Sequence, residues 1–163
     1  MRYFAYGSNM SLARLQARVP SARHIGPAVL GGHLLRWHKI GSDGSGKCDA
    51  LHTGDAHHQL PGVLFEIDPV HRKHLDVAEG LGHGYDAKWV DVRADCGADV
   101  GAFTYYALRI DVALQPYAWY KQHVLLGARE SGLPPAHIHS IEGVGPVEDP
   151  DPERDRRERS IHD

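Results

Sequence analysis

Two placements in the sequence carry chemical possibility. The first is Gly7-Ser8-Asn9, which follows Tyr3-Phe4-Ala5-Tyr6 directly and precedes the periodic segment SLARLQARV beginning at Ser11. A strand that hands over to a helix through such a turn leaves backbone N–H groups without intrahelical partners. Those amides form a site for a carboxylate or a developing oxyanion. Gly7 admits a ligand close to the backbone, and Ser8 and Asn9 add short polar side chains. The same residues also suit a plain cap, in which Asn9 or Ser11 satisfies the helix and nothing more.

The second placement is Glu79, within HRKHLDVAEG. A helix stopped by Gly80 puts this carboxylate at the negative end of the helix dipole. Asp76, three residues earlier on the same face, adds repulsion. Both effects disfavour the anion, which is the tuning a general base needs near neutral pH. A surface glutamate tolerated at small cost is the plainer alternative.

These residues must be positioned by a modest set of elements. Residues 2–6 read as a strand and residues 11–18 as a short amphipathic helix ended by Pro20. Residues 28–37 read as one apolar strand with a bulge at Gly31-Gly32, and residues 41–47 as a flexible loop. Strands are expected over 49–53, 62–67, 88–93 and 101–109. Asp68-Pro69 opens the helix that ends at Glu79. Residues 116–131 form a helix with Tyr117, Tyr120, Val124, Leu125 and Ala128 on one face, and a second short helix follows Pro134-Pro135. The class is α+β, a small mixed sheet or barrel flanked by a few helices. Residues 1–143 form the domain. Residues 144–163, rich in Glu, Asp, Pro and Arg, read as a disordered or loosely packed charged tail.

Composition narrows the function. The 163 residues carry a net charge of -3, and a nucleic-acid partner needs a concentrated basic face instead. No apolar run approaches the roughly 20 residues of a membrane span. The N-terminus lacks the pattern of an export signal, and Cys48 and Cys96 form neither a metal-type spacing nor a disulfide framework. A cytoplasmic protein with no nucleic-acid or membrane partner is expected. The 13 histidines invite a metal, but His57-His58, His71 with His74, and His137 with His139 fall into no ligand spacing. No metal and no cofactor are expected.

Four stretches, in order, resemble the gamma-glutamylcyclotransferase family. Tyr3-Phe4-Ala5-Tyr6-Gly7-Ser8-Asn9-Met10 is similar to its YFAYGSN signature, and Leu75-Asp76-Val77-Ala78-Glu79-Gly80 to its LDxxEG element. Tyr85 follows where the family has a tyrosine after EG. Tyr120-Lys121-Gln122 with residues 127–134 resembles its YKxxxxxGAxxxGLP helix. The resemblance implies a γ-glutamyl amide as small-molecule substrate, cyclised without water to 5-oxoproline with release of an amine or amino acid. It implies Glu79 as the catalytic proton shuttle, Tyr6, Gly7, Ser8, Asn9 and Met10 as the glutamyl-binding turn, and Tyr85 and Tyr120 as pocket walls and hydroxyl donors. A homodimer is the possible assembly. No covalent nucleophile is needed, in keeping with the absence of a G-x-S-x-G elbow.

Within that resemblance several roles stay open. The glutathione-specific relatives read FGYGSL and those acting on γ-glutamyl-ε-lysine read YGTL, and this chain matches neither. Removal of a γ-glutamyl protecting group in biosynthesis, or a module that binds without turning over, are the alternatives. The leaving-group side is expected from residues 41–47, residues 55–59 and the surroundings of His83 and Trp119.

Overall fold

The computed structural model describes all 163 residues, Met1–Asp163. Aromatic β1 (Arg2–Ala5) is buried from its second residue onward, as its Tyr-Phe-Ala sequence demands. It lies antiparallel to β5 (Gln59–Glu66), with Phe4 opposite Leu64. β2 (Arg23–Gly31) covers the other edge of β5, then pairs with β6 (Tyr85–Ala94), which pairs in turn with β7 (Asp99–Ala107). A parallel contact, Tyr3 opposite Phe103, joins β7 back to β1 and closes a five-stranded mixed barrel. The α+β expectation with a small barrel thus holds. Phe4, Phe65 and Phe103 are fully buried, Phe4 on one face of the sheet with Leu64, and Phe65 and Phe103 on the other with Tyr3.

The single strand expected over 28–37 is two. Gly32, with φ of 69°, turns the chain out of the barrel between β2 and β3 (His33–Ile40). β3 pairs only with β4 (Gly46–His52), making a separate two-stranded sheet. The loop before β4 is ordered rather than flexible. Asp43 accepts hydrogen bonds from the Ser45 amide and hydroxyl and from the Lys47 ammonium.

Five helices complete the fold. α1 (Leu12–Arg18) is capped by the Ser11 hydroxyl. α2 (Arg72–Glu79) follows a 3-10 turn capped by Asp68, and ends at Gly80 in the left-handed conformation. α3 (Ala118–Glu130) buries Trp119, Tyr120, His123, Val124, Gly127 and Ala128. α4 (Pro135–Glu142) packs beside it. The tail was expected to be loose, and here the structure differs: residues 152–159 form α5 (Pro152–Arg159), docked on α3. Its inward charges are paired, while Glu153, Arg156 and Arg157 stay exposed. Glu158 meets Arg14 and His123, Arg154 meets Asp149, and Arg159 meets Asp155.

Candidate active site

Gly7-Ser8-Asn9 leaves β1 and winds into a 3-10 turn over Ser8–Met10 before α1 begins. Two close approaches fix it. A Cβ on Gly127 of α3 would stand 2.3 Å from the Ser11 nitrogen, so only glycine lets α3 lie on this turn. A Cβ on Gly7 would stand 2.9 Å from the Cys48 Cβ and 3.4 Å from the Tyr120 hydroxyl. The turn is therefore clamped between α3 and β4. The Gly7, Ser8 and Asn9 amides have no acceptor within the chain. Ser11, not Asn9, caps the helix.

Asn9 turns its amide elsewhere. Its Nδ2 donates to the Tyr3 hydroxyl at 3.0 Å and to Glu79 Oε1 at 2.9 Å. Arg18, in the last turn of α1, donates to the same Glu79 oxygen at 2.7 Å and to Asn9 Oδ1 at 3.0 Å. Glu79 Oε1 is thus anchored twice, whereas Oε2 has no donor in the chain. The electrostatics differ from the sequence expectation. Asp76 does not press on Glu79, because it is taken by Arg72 at 2.9 Å and by the Tyr105 hydroxyl at 2.6 Å. The glutamate at the helix end faces a cation, Arg18, brought in from another element.

Glu79, Tyr6, Gly7, Ser8, Asn9, Tyr85 and Tyr120 line one narrow cavity of about 30 Å3, together with Tyr3, Cys48 and Tyr105. A second cavity of about 300 Å3 shares Ser8, Glu79, Tyr85 and Tyr120 as walls. That is the lower end of the size range of small-molecule sites. Met10 is not a wall of either cavity. It is 1% exposed and packs under α3, a placement set by the close approach of Gly127. A larger groove of about 660 Å3 between β2, β6 and residues 132–134 contains none of these groups. Chemistry, not volume, marks the site.

The tyrosines divide by what their protons do. The Tyr6 hydroxyl donates to the Tyr105 carbonyl and the Tyr85 hydroxyl to the Cys48 carbonyl, both at 2.6 Å. Tyr85 is therefore a wall whose proton is already engaged, not the available donor that was expected. Tyr120 instead accepts from the Cys48 amide at 2.9 Å, which leaves its own proton available. Burial holds all three phenols well above their ordinary range, so they stay neutral. Burial also pushes the Cys48 thiol up to about 12, which removes it as a nucleophile.

On the outer side, Gly41, Ser42, Asp43, Lys47 and Trp119 contribute walls as expected, while residues 55–59 and His83 lie elsewhere. Lys39, Arg14, Arg154 and Glu158 were not anticipated there. Lys47 donates to Asp43 at 2.7 Å and lies 4.7 Å from the Tyr120 ring centre and 4.8 Å from that of Trp119. No cluster of three or more His, Cys, Asp or Glu side chains is arranged to hold a metal.

Comparison with known proteins bears on the family and the fold. The AIG2-like family is matched over residues 59–141. Human gamma-glutamylcyclotransferase is 29% identical over 151 residues, covering 88% of this chain and 78% of the human one. The mouse protein of the same name is 29% identical over 158 residues, covering 90% and 79%. A solved gamma-glutamyl cyclotransferase superposes over 98% of both chains with a TM-score of 0.87 at 22% identity, which matches the fold. YkqA from Bacillus subtilis superposes over 90% of this chain and 56% of its own, at 25% identity and a TM-score of 0.76. The chain belongs to the AIG2-like family and is gamma-glutamylcyclotransferase-like in sequence and in fold.

Proposed function

We propose that this protein is a γ-glutamyl cyclotransferase, converting a γ-glutamyl amide to 5-oxoproline and a free amino acid or amine. The observation that carries this is the asymmetric state of Glu79. One carboxylate oxygen is fixed by Arg18 and Asn9, and the other stands without a donor on the wall of a cavity bordered by unpaired turn amides.

The chemistry follows from that arrangement. Glu79 Oε2 takes a proton from the substrate's α-ammonium, whose ordinary pKa is about 8. The freed amine attacks the γ-carbonyl of the same molecule, closing a five-membered ring, and the carbonyl π pair moves onto oxygen. Because nucleophile and electrophile share one molecule, much of the entropic barrier is already removed. The Gly7, Ser8 and Asn9 amides donate to the oxygens of the glutamyl part, where preorganised donors act best. Glu79 returns its proton to the departing nitrogen as the adduct collapses and the bond to that nitrogen breaks. It then takes the second proton from the ring nitrogen, leaving the neutral lactam. No water is consumed.

The test is 5-oxoproline release, followed by mass spectrometry, from γ-glutamyl-alanine, glutathione, γ-glutamyl-ε-lysine and simple γ-glutamyl amines. Wild type is expected to release 5-oxoproline from at least one of them, and Glu79→Gln from none. Unchanged release in the variant would remove Glu79 from the mechanism.

A further inference from the structure

The outer cavity is walled by five cations, and four of them are neutralised. Arg18 is paired with Glu79, Lys47 with Asp43, Arg14 with Glu158 and Arg154 with Asp149. The fifth, Lys39 of β3, has neither an ion pair nor a hydrogen bond. Its side chain is nonetheless buried, with the residue 8% exposed. The ammonium rests over the Tyr85 ring, 4.5 Å from its centre. Gly84 keeps the space beside it open: a Cβ there would stand 2.9 Å from Lys39 Nζ and 3.2 Å from the Glu79 carbonyl oxygen. The cation is thus held next to the end of α2, on the cavity that Glu79 and Tyr120 also line. The ammonium opens on the cavity with no carboxylate of the chain paired to it, and its three N–H donors are free for an anion there.

We propose that Lys39 is a specificity residue that binds a carboxylate on the departing amine, so that this site favours γ-glutamyl amino acids over γ-glutamyl amides with neutral leaving groups. This rests on the cyclotransferase reading given above. The glutamyl half is met by the turn amides, the anchored glutamate and the Tyr120 hydroxyl. Lys39 lies on the outer cavity, which is left for the leaving group. Burial lowers the Lys39 ammonium below the ordinary lysine range, and a carboxylate against it would counter that loss.

The experiment compares γ-glutamyl-alanine with γ-glutamyl-alaninamide, which differ only in the charge of the leaving group, on wild type, Lys39→Met and Lys39→Arg. Wild type is expected to prefer the acid in kcat/KM by roughly 10- to 100-fold, mostly through KM, as suits a charge-assisted hydrogen bond. Lys39→Met is expected to collapse the acid-over-amide ratio of kcat/KM to near unity, chiefly through a higher KM for the acid, and Lys39→Arg to keep most of the preference. Equal wild-type turnover of the two substrates overturns the proposal without any variant. A parallel loss on both substrates in Lys39→Met also overturns it, since the lysine would then serve the glutamyl half or the fold. Wild type that turns over no γ-glutamyl compound removes the cyclotransferase reading itself, and this inference falls with it.

Discussion

Gly7 sets how closely β4 and α3 can approach the turn, so it connects backbone packing to the position of the amides. Its φ of -117° is open to any residue, and the constraint is space alone. Gly7→Ala would drive a methyl into Cys48 Cβ and crowd the Tyr120 hydroxyl. We expect a loss of about 1–3 kcal/mol in denaturant unfolding, the range for overpacking a filled site, and a fall in kcat beyond it as the turn shifts. A variant with wild-type stability and turnover would show that the clamp is slack. At this scale the sequence was informative where partners are sequence neighbours. Tyr6, Gly7, Ser8 and Asn9 were legible as a strand end running into a tight turn because such a turn is a local event. Glu79 was legible as misplaced, but its partner was not. Arg18 reaches it only because the end of α1 packs against the end of α2, and no pattern within either helix encodes that meeting.

Elements were harder to read where their role depends on distant contacts. α5 carries so many charges that composition indicates a solvated tail, yet the pairs it forms are specific. The His123 ring is enclosed by three groups: its Nε2 lies 3.0 Å from Arg14 Nη1 and 3.3 Å from Glu158 Oε2, and its Nδ1 lies 2.6 Å from His162 Nε2. Burial lowers His123 to about 4 against the opposing pull of Glu158, so the folded ring is neutral near pH 7. Burial alone would raise the Glu158 carboxyl, but His123 and Arg14 outweigh it and bring it down to about 2. The two groups act in the same direction. Between pH 6.5 and about 4 the unfolded chain binds a proton that folded His123 refuses, so stability falls with falling pH. The Glu158 contribution is present above its ordinary value and is lost as pH falls from about 4.5 toward 2. Acid should therefore undock α5 early. Hydrogen-exchange protection factors over residues 152–159 are expected to fall between pH 6.5 and 4.5, and His123→Gln to flatten that dependence. An identical pH slope in the variant would place the acid-sensitive group elsewhere. Because Arg154 and Glu158 wall the outer cavity, undocking should also raise KM. The split of residues 28–37 has a similar origin. Both halves are apolar, and only their different partners, β5 and β6 for one and β4 for the other, require the turn at Gly32.

Across the whole molecule, barrel closure and the site share residues. β1 and β7 meet in register at a single pair, Tyr3 and Phe103, whose rings stack with centres 5.1 Å apart. The Thr104 hydroxyl donates to the Phe4 carbonyl at 2.8 Å and secures the same seam. Tyr3 then accepts from Asn9, and Asn9 donates to Glu79, so a chain of contacts runs from the seam to the carboxylate. The Arg72 guanidinium lies 3.7 Å from the Phe103 ring centre, and Arg72 also pairs with Asp76. Phe103→Ala should therefore do more than empty a fully buried site. We expect about 3–5 kcal/mol of destabilisation in urea unfolding, the usual cost of such a cavity. Among molecules still folded at low temperature, kcat should fall more than KM rises, because Tyr3 and Asn9 lose the wall that orients them. Trp89→Ala is the control: it borders the same ring edge-on from outside, with centres 6.2 Å apart, and is 68% exposed. It should cost under about 1 kcal/mol and leave kcat unchanged. If both variants lose stability alike but keep wild-type kcat, the seam supports the fold alone. If only Phe103→Ala loses turnover, closure of the barrel is what aligns Asn9 on Glu79.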